Sequence, residues 1–405
     1  SHSSLFNCIL TLLIFNFIKN LKIDILYAFI LAICFSILAY PISGVPFIDH
    51  HSTFFSIIAF LFFYYAFQGS NDNYFLFIPL IFVLAFLSKP VPAAYFLILF
   101  FSLIIIYVYY VKNYKIFYKL FLGIFLTLFF FIFFLKAQDI SLKLFLDQLI
   151  FYPISIGNQR FDALISAFEN RIFNFKFLII PLLFLFYLIL KNKNYLKLRN
   201  RDFSIFFVIT IFNIIMIFHQ LLTKNQNFLF FLIPINVALI IYLLNKINFK
   251  YEKFLNFLFI VFTIALTFKY NQRFNYERKF HDLQNVNLGN YSKATEIDKT
   301  LYPLKWQSNV FSNSKEEIKL INNLISIINK SENNILLISN YNFLDAIIKK
   351  KLYLIVKNYD NVTIPPKKNQ YFSKFKNYFN KKIIDKKISE IIIFIPNRDF
   401  NKEIK

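Results

Sequence analysis

The chain has 405 residues, of which 58% are hydrophobic and 21% are aromatic. An ordinary soluble domain cannot keep so many apolar side chains out of water, so this composition excludes a purely soluble protein. The formal net charge is +23, and its distribution matters more than its size. Residues 1–269 hold 21 lysines and arginines against nine acidic residues, and residues 270–405 hold 24 against 13.

Ten apolar segments in residues 1–269 predict about ten membrane spans. Thirteen basic residues fall in four of the breaks between them, at 19–22, 112–119, 191–201 and 246–253. Alternation puts all four breaks on one face of the membrane, which is the positive-inside pattern of a multi-pass bacterial inner-membrane protein. The break at 69–73, on the same face, carries no positive charge. The predicted spans are 5–18, 24–40, 53–68, 74–88, 93–111, 116–136, 172–190, 203–222, 228–244 and 254–269.

Residues 270–405 are polar and predict a small α/β domain outside the membrane. Strands alternating with helices favour a partly parallel sheet. The same alternation of spans places this domain on the periplasmic face, together with the loops at 41–53 and 137–171 and those around Lys89 and Lys224. With only five glycines in the chain, a glycine-rich phosphate loop is not expected. The predicted elements are a helix at 315–329, a buried strand at 334–338, a short helix at 342–351, a basic helix at 371–387 and a second buried strand at 390–395.

The first residue is Ser1, and no basic region or cleavage site precedes the first apolar segment, so we expect the chain to begin within a longer protein. Cys8 and Cys34 both lie in predicted spans. The cysteines therefore predict neither a disulfide framework nor a thiolate metal site.

Asp49, His50 and His51 follow a break at 41–46 that contains two prolines and a glycine. An aspartate near a helix start is a common cap, worth about 1 kcal/mol, and a single residue would suffice for that role. Three adjacent groups that can accept protons or bind a cation favour a functional role. We predict that these three residues are catalytic, with Asp49 and His50 as metal ligands.

Lys89 ends an apolar segment in the sequence FLSKPVPA. Its ammonium group could simply extend to the lipid headgroups. A charge among membrane helices is also a functional hypothesis by default, and on the same face as Asp49 it could bind a phosphate. Both interpretations stay open.

Two further polar groups are predicted on that face. The segment 151–164 suggests an interfacial helix with a turn at Gly157, where Arg160 could hold phosphate oxygens or contact lipid headgroups. A plain turn does not need an imidazole, an ammonium and carboxamides together, so the residues between the spans at 203–222 and 228–244 favour recognition of a sugar or phosphate. These residues are His219, Gln220, Lys224, Gln226 and Asn227.

In residues 270–405 no pattern of a known catalytic site occurs, and Trp306 is isolated, which is typical of a packing or surface position. Lysines cluster at 349–351 and 381–387. A face lying against anionic lipid explains them at least as well as nucleic acid does, and the predicted compartment disfavours nucleic acid.

The many spans, the basic loops on one face, the acidic motif in an outer loop and the trailing α/β domain resemble the GT-C membrane glycosyltransferases. The resemblance is to the bacterial lipopolysaccharide sugar-transferase group (RgtA/B/C/D-like), which is related to the polyprenyl-phosphate-mannose-protein mannosyltransferases. It covers most of residues 1–269 and is carried by PFIDHHSTFFS at 46–56, FLSKPVPA at 86–93 and FHQLLTKNQNFLFFLIPI at 218–235.

This resemblance implies a GT-C-like fold and transfer of a hexose or pentose from a polyprenyl-phosphate donor, often with inversion. The acceptor would be a glycan, lipid or protein of the cell envelope. Asp49 matches the acidic position of the family's second outer loop, and Lys89 matches a basic position that contacts the donor phosphate, where Arg160 would assist. Residues from His219 to Asn227 would line the sugar site.

The family's first outer loop, with its principal acidic residue, would precede Ser1, so we expect the general base upstream. Asp49 would then bind a divalent cation such as Mg²⁺ or Mn²⁺, or orient the acceptor.

Three alternatives stay open. A transporter or flippase of lipid-linked glycans would have a similar number of spans, but the sequence shows no internal repeats. A polymerase or ligase of the O-antigen type would use the same donors. The C-terminal domain could also serve assembly.

Overall fold

A computed structural model describes residues 2–39, 48–67, 71–161, 171–191, 201–223, 229–277, 289–308, 310–356, 359 and 363–395. At 110–111, 157–161 and 201–204 it describes the backbone alone. The chain forms two compact units, residues 1–279 and 280–405.

Unit 1 is built from apolar helices, joined in places by short π or 3-10 turns. A π turn at Asp147–Phe151 joins α7 to α8, a 3-10 turn at Ile172–Phe175 precedes α9, and a π turn at Arg273–Glu277 follows α12. The helices are α1 (His2–Asn20), α2 (Ile25–Ala39), α3 (Ile48–Phe67), α4 (Tyr74–Ser88), α5 (Pro90–Val111), α6 (Lys115–Ala137), α7 (Leu142–Leu146), α8 (Tyr152–Phe161), α9 (Lys176–Lys191), α10 (Arg201–Thr223), α11 (Leu232–Lys246) and α12 (Glu252–Gln272).

Each of the ten predicted spans lies on a helix, which confirms the polytopic helical architecture. Among the described residues seven helices are long and apolar enough to cross a membrane, and α2, α4 and α11 are apolar but have only 15 residues each. A 15-residue helix is about 22 Å long, against roughly 30 Å of hydrocarbon in a bilayer. The number of crossings therefore stays a prediction.

Several helices of unit 1 expose apolar surface of the kind that lipid covers in membrane proteins. On α6 the large side chains of Phe121, Phe125, Phe129 and Phe133 are 57–66% exposed and recur at every fourth position. Such a stripe would make a soluble protein aggregate, whereas in hydrocarbon it costs nothing.

Helix α11 is the centre of unit 1. Twelve of its fifteen residues are buried, and α2, α9, α10 and α12 pack around it. A helix that is apolar on all sides is expected either in a membrane or inside a protein core, and α11 is enclosed by other helices. The structure thus explains why a short helix carries a nearly continuous apolar sequence.

Several polar side chains in these helices form hydrogen bonds of one of two kinds. Hydroxyl groups donate to the carbonyl four residues earlier, as Thr127 does to Gly123 (2.7 Å). Asn213 of α10 and Asn236 of α11, both fully buried, exchange two amide hydrogen bonds of 3.0 Å. This reciprocal pair joins α10 to the central helix.

Helices α4 and α6 approach closely at Gly123. A Cβ atom at this position would overlap the backbone carbonyl of Leu76, so the contact requires glycine.

Unit 2 contains a three-stranded sheet with strand order β4-β3-β5. Strand β3 pairs in parallel with both neighbours, which confirms the prediction of a partly parallel sheet. Helix α13 begins with the Asn313 side chain accepting from the backbone N–H of Lys315 (3.0 Å), a regular N-terminal cap. The elements are β1 (Ser292–Lys293), β2 (Lys305–Trp306), α13 (Ser314–Lys330), β3 (Ile335–Ser339), α14 (Leu344–Ile347), β4 (Leu352–Tyr353), α15 (Phe372–Asp385) and β5 (Glu390–Phe394), with 3-10 turns at Ala294–Glu296 and Lys299–Leu301.

Two predictions for unit 2 are wrong in detail. The predicted short helix at 342–351 is only Leu344–Ile347, and the chain then enters β4. The predicted buried strand at 390–395 is an edge strand with alternating burial. A run of apolar residues does not reveal that alternate residues of the strand are exposed at the edge of the sheet.

A buried carboxylate organises the core of unit 2. Glu317 in the first turn of α13 is 3% exposed and accepts from the indole N–H of Trp306 (2.9 Å) and from the Tyr341 hydroxyl. Of the two positions predicted for Trp306, packing is therefore the one that is confirmed. Burial and the hydrogen bond to Glu317 raise the pKa of Tyr341.

The asparagine pair can be tested with a double-mutant cycle. Asn236→Leu leaves a buried amide of Asn213 short of a partner, so we expect the free energy of unfolding to fall by about 1–2 kcal/mol. The double variant Asn213→Leu/Asn236→Leu removes both polar groups and should recover part of that loss. Thermal unfolding in detergent measures both. Strictly additive losses would show that the pair does not couple the two helices.

The Glu317 network can be tested by pH. Because the pKa of Tyr341 is raised on folding, the stability it contributes is complete below about pH 10 and is lost as the pH rises further. We expect the free energy of unfolding of wild type to exceed that of Tyr341→Phe by about 1 kcal/mol at pH 8 and by less above pH 10. Fluorescence of Trp306, the only tryptophan, follows unfolding. Tyr302→Phe, at a 78% exposed position, is the control and should show no such difference.

Candidate functional site

Two prolines fix the backbone around Lys89. A residue before proline is driven out of the helical region, and Lys89 precedes Pro90 as Val91 precedes Pro92. Lys89 (φ −159°, ψ 122°) and Val91 (φ −117°, ψ 124°) are both extended. Helix α4 therefore ends at Ser88, and Lys89 stands at the junction of α4 and α5.

Asp49 lies in the first turn of α3, where a carboxylate also interacts favourably with the free N–H groups of the helix start. This helix begins at Ile48, so Asp49, His50 and His51 are helical residues and not part of the predicted loop. Asp49 is buried and forms an ion pair with the Lys89 ammonium group. A quarter of the Lys89 side chain stays exposed, so the pair is open on one side.

His219 is the third member of the site. It lies on the last turns of α10, is 1% exposed, and its Nε2 is 3.5 Å from Oδ1 of Asp49, the oxygen that also contacts Lys89. The ends of α3, α4, α5 and α10 thus meet at one carboxylate. Three residues predicted from separate parts of the sequence are brought together.

The two histidines beside Asp49 point elsewhere. Successive helical residues are about 100° apart, so three in a row face three directions. His50 packs edge-on against Phe54 (5.6 Å between ring centroids), and His51 stacks on His2 of α1 (5.0 Å) with a 2.8 Å hydrogen bond between their Nε2 atoms. The predicted catalytic roles of His50 and His51 stay predictions.

The predicted metal site is not completed by the described residues. Within that part of the chain, no group of three or more His, Cys, Asp or Glu side chains could hold a metal ion. Asp49 and His50 could supply at most two protein ligands, so a cation such as Mg²⁺ would take its other ligands from water or from a substrate phosphate.

Several predicted site residues cannot be compared with the structure. Lys224, Gln226 and Asn227 lie outside the described residues, and at Arg160 only the backbone is described, in α8. Gln220 is buried beside His219 in sequence.

Two positioning features were not singled out in the sequence. The Ser52 hydroxyl, fully buried one turn after Asp49, donates to the carbonyl oxygen of Lys89 (3.0 Å) and ties the junction to α3. Phe96 of α5 stacks on Phe212 of α10 (4.0 Å between centroids), which holds the helix after Lys89 against the helix of His219. The role of Ser52 could have been suspected, because it is a polar residue close to Asp49 in the sequence DHHST. Nothing in the sequence distinguishes Phe96 from the many other phenylalanines.

An apolar cavity of about 230 Å³ lies between α4, α5 and α6. Phe82 and Val83 of α4, Leu97 and Phe100 of α5, and Ile124 of α6 line it, and Thr127 is its one polar lining residue. Val83 is six residues before Lys89, about 9 Å along α4. The cavity therefore begins one to two helical turns from the charged junction.

No protein-family model matches the chain, no curated protein matches its sequence, and no solved structure matches its fold. The resemblance to GT-C glycosyltransferases therefore stays a prediction.

The ion pair predicts non-additive stability effects. Asp49→Asn leaves Lys89 without its countercharge, and Lys89→Met leaves Asp49 without the ammonium group that pairs with it. Breaking a buried pair from one side costs several kcal/mol, and the partial exposure of Lys89 reduces this to about 2 kcal/mol for each variant. The double variant should lose less than the sum of the two, because it removes both charges.

Thermal unfolding in detergent measures this cycle. Asp139→Asn, an exposed carboxylate after α6, is the matched control and should unfold like wild type. If the stability losses of the two single variants simply add in the double variant, Asp49 and Lys89 do not stabilise each other.

Proposed function

We propose that this chain is the membrane part of a glycosyltransferase that moves a sugar from a polyprenyl-phosphate donor to an acceptor in the cell envelope. The observation that carries the proposal is the buried carboxylate of Asp49, shared by Lys89 and His219 where four helix ends meet. A packed bundle does not need three ionisable groups there, and charges among membrane helices are costly and usually functional.

Lys89 supports an anionic substrate. Its ammonium is held at a fixed junction, and a quarter of its side chain remains accessible. A phosphate can therefore approach the ammonium group from its exposed side. Such a preorganised cation stabilises the charge that develops on a leaving phosphate.

The adjacent cavity supports a lipid-linked donor. An apolar cavity of roughly 150 Å³ binds benzene, so one of about 230 Å³ can hold the first part of an isoprenoid chain. Its distance from Lys89, one to two helical turns, suits a tail attached to a phosphate at the junction. A water-soluble nucleotide sugar would have no use for it.

In the proposed reaction the acceptor hydroxyl oxygen bonds to the anomeric carbon of the sugar. The bond from that carbon to the phosphate oxygen breaks, and its electron pair leaves with the polyprenyl phosphate beside Lys89. The hydroxyl proton passes to a carboxylate. At this site we assign that role to Asp49, in place of the general base that the family resemblance puts upstream of Ser1. His219 lies against Asp49 and keeps it oriented. Localisation of this site at the periplasmic face belongs to the same proposal.

The experiment is transfer of radiolabelled sugar from synthetic polyprenyl-phosphate hexoses and pentoses by the full-length protein in detergent. We expect Lys89→Gln to lower kcat/KM by about 10²–10³-fold, with Lys89→Arg retaining part of the activity. Asp49→Asn should lower kcat by about 10²–10⁴-fold with a smaller change in KM. Detergent abolishes transport, so product formation there separates an enzyme from a flippase.

The matched controls are Lys136→Gln and Asp139→Asn, exposed residues at the end of α6, and both should keep wild-type activity. Unchanged transfer in both Asp49→Asn and Lys89→Gln would overturn the proposal.

A further inference from the structure

One side of unit 2 combines strong positive charge with exposed apolar side chains. Residues 367–387 hold eight lysines and one aspartate, a net charge of +7. Helix α15 lies in this segment and buries none of its residues fully. Among its lysines, Ile384 is 74% exposed.

The exposed side of α15 follows from its helical spacing. Phe372, Phe375 and Phe379 are partly buried at an i, i+3, i+7 spacing and form the inner side. Lys381 and Ile384 are exposed and lie on the outer side, about 160° and about 140° from Phe379 respectively. An isoleucine is thus presented to the surroundings between lysines.

Strand β5 adds a second apolar element. It is an edge strand, and Ile391 and Ile393 point to the same face of the sheet because alternate residues share a face. They are 50% and 59% exposed. The other face is covered, since Ile392 and Phe394 pack on the core that contains α13.

The chain topology puts α15 and these isoleucines on the same side. The connections from β3 to β4 and from β4 to β5 cross the sheet in opposite directions. Because such connections are right-handed, their helices lie on opposite faces. Leu344 of α14 packs in the core with α13, so α15 lies on the opposite face, with Ile391 and Ile393.

We propose that this side of unit 2 binds the surface of a bilayer that contains anionic lipid. Lysines attract phosphate headgroups, and isoleucines between them enter the interface, which is the pattern of interfacial binding. Among the described residues no salt bridge neutralises Lys376, Lys381, Lys386 or Lys387. A nucleic acid would interact with the lysines through its phosphates, but the isoleucines would stay exposed to water. The bilayer is therefore the better match for this surface.

The covalent connection favours this partner. Helix α12, a candidate membrane span, ends at Gln272, and unit 2 follows in the same chain. A surface tethered to the bilayer meets it at high effective concentration, so even weak affinity suffices. This inference does not depend on the proposed transferase activity.

The experiment places a tryptophan at Ile384 in the full chain and reconstitutes it in nanodiscs with brominated phosphatidylglycerol, which quenches tryptophan on contact. The control is Ile327→Trp, at a position 55% exposed on α13. Wild type, with Trp306 alone, provides the baseline.

We expect at least twofold stronger quenching at position 384 than at 327. Quenching at 384 should fall to the control level when Lys381, Lys382, Lys386 and Lys387 are replaced by glutamine, or when the brominated lipid is zwitterionic. Equal quenching at both positions, or quenching indifferent to lipid charge, would overturn the proposal. The proposal would also be overturned if fluorescence anisotropy showed binding to a single-stranded oligonucleotide while quenching showed no contact with the bilayer.

Discussion

A lysine and an aspartate at the end of an apolar bundle can both stay charged only if each neutralises the other. Lys89 and Asp49 do this from different helices, and His219 approaches the same carboxylate oxygen from a third. The consequence is mechanical as well as electrostatic, because the pair fixes where α3, α4, α5 and α10 end relative to one another. Ser52 reinforces this through the backbone of Lys89.

The rest of unit 1 supports this arrangement through close packing. The central helix α11 is almost entirely buried, and the Asn213–Asn236 pair joins it to α10, which carries His219 near its end. Close contact of α4 and α6 at Gly123 lies beside the apolar cavity, whose lining includes Thr127 one turn later. Rigid helices therefore hold both the charged junction and the space next to it, which is what a preorganised site requires.

Hydropathy made the ten helices predictable, since only helices satisfy their own backbone groups in lipid. The position of Lys89 was also predictable in outline, because proline restricts the residue before it. The directions of the Asp49, His50 and His51 side chains could not be predicted. Three side chains in a loop can point to one place, whereas in a helix successive side chains are about 100° apart. The alternating exposure along β5 was missed because EIIIFI has no alternation to reveal it. Partners such as Asn236 for Asn213 require the fold itself.

The resting ion pair raises the question of how an anionic donor could take Lys89 from Asp49. A phosphate diester carries one negative charge, so its arrival at Lys89 replaces one carboxylate with another anion and leaves Asp49 charged. An isolated carboxylate in that position would be strongly disfavoured. His219 removes this obstacle, because an imidazole N–H at 3.5 Å can close on Asp49 and donate a hydrogen bond when the ammonium turns away. In the proposed reaction the carboxylate is then released from Lys89 only when the donor is bound, and it becomes available to the acceptor at that moment.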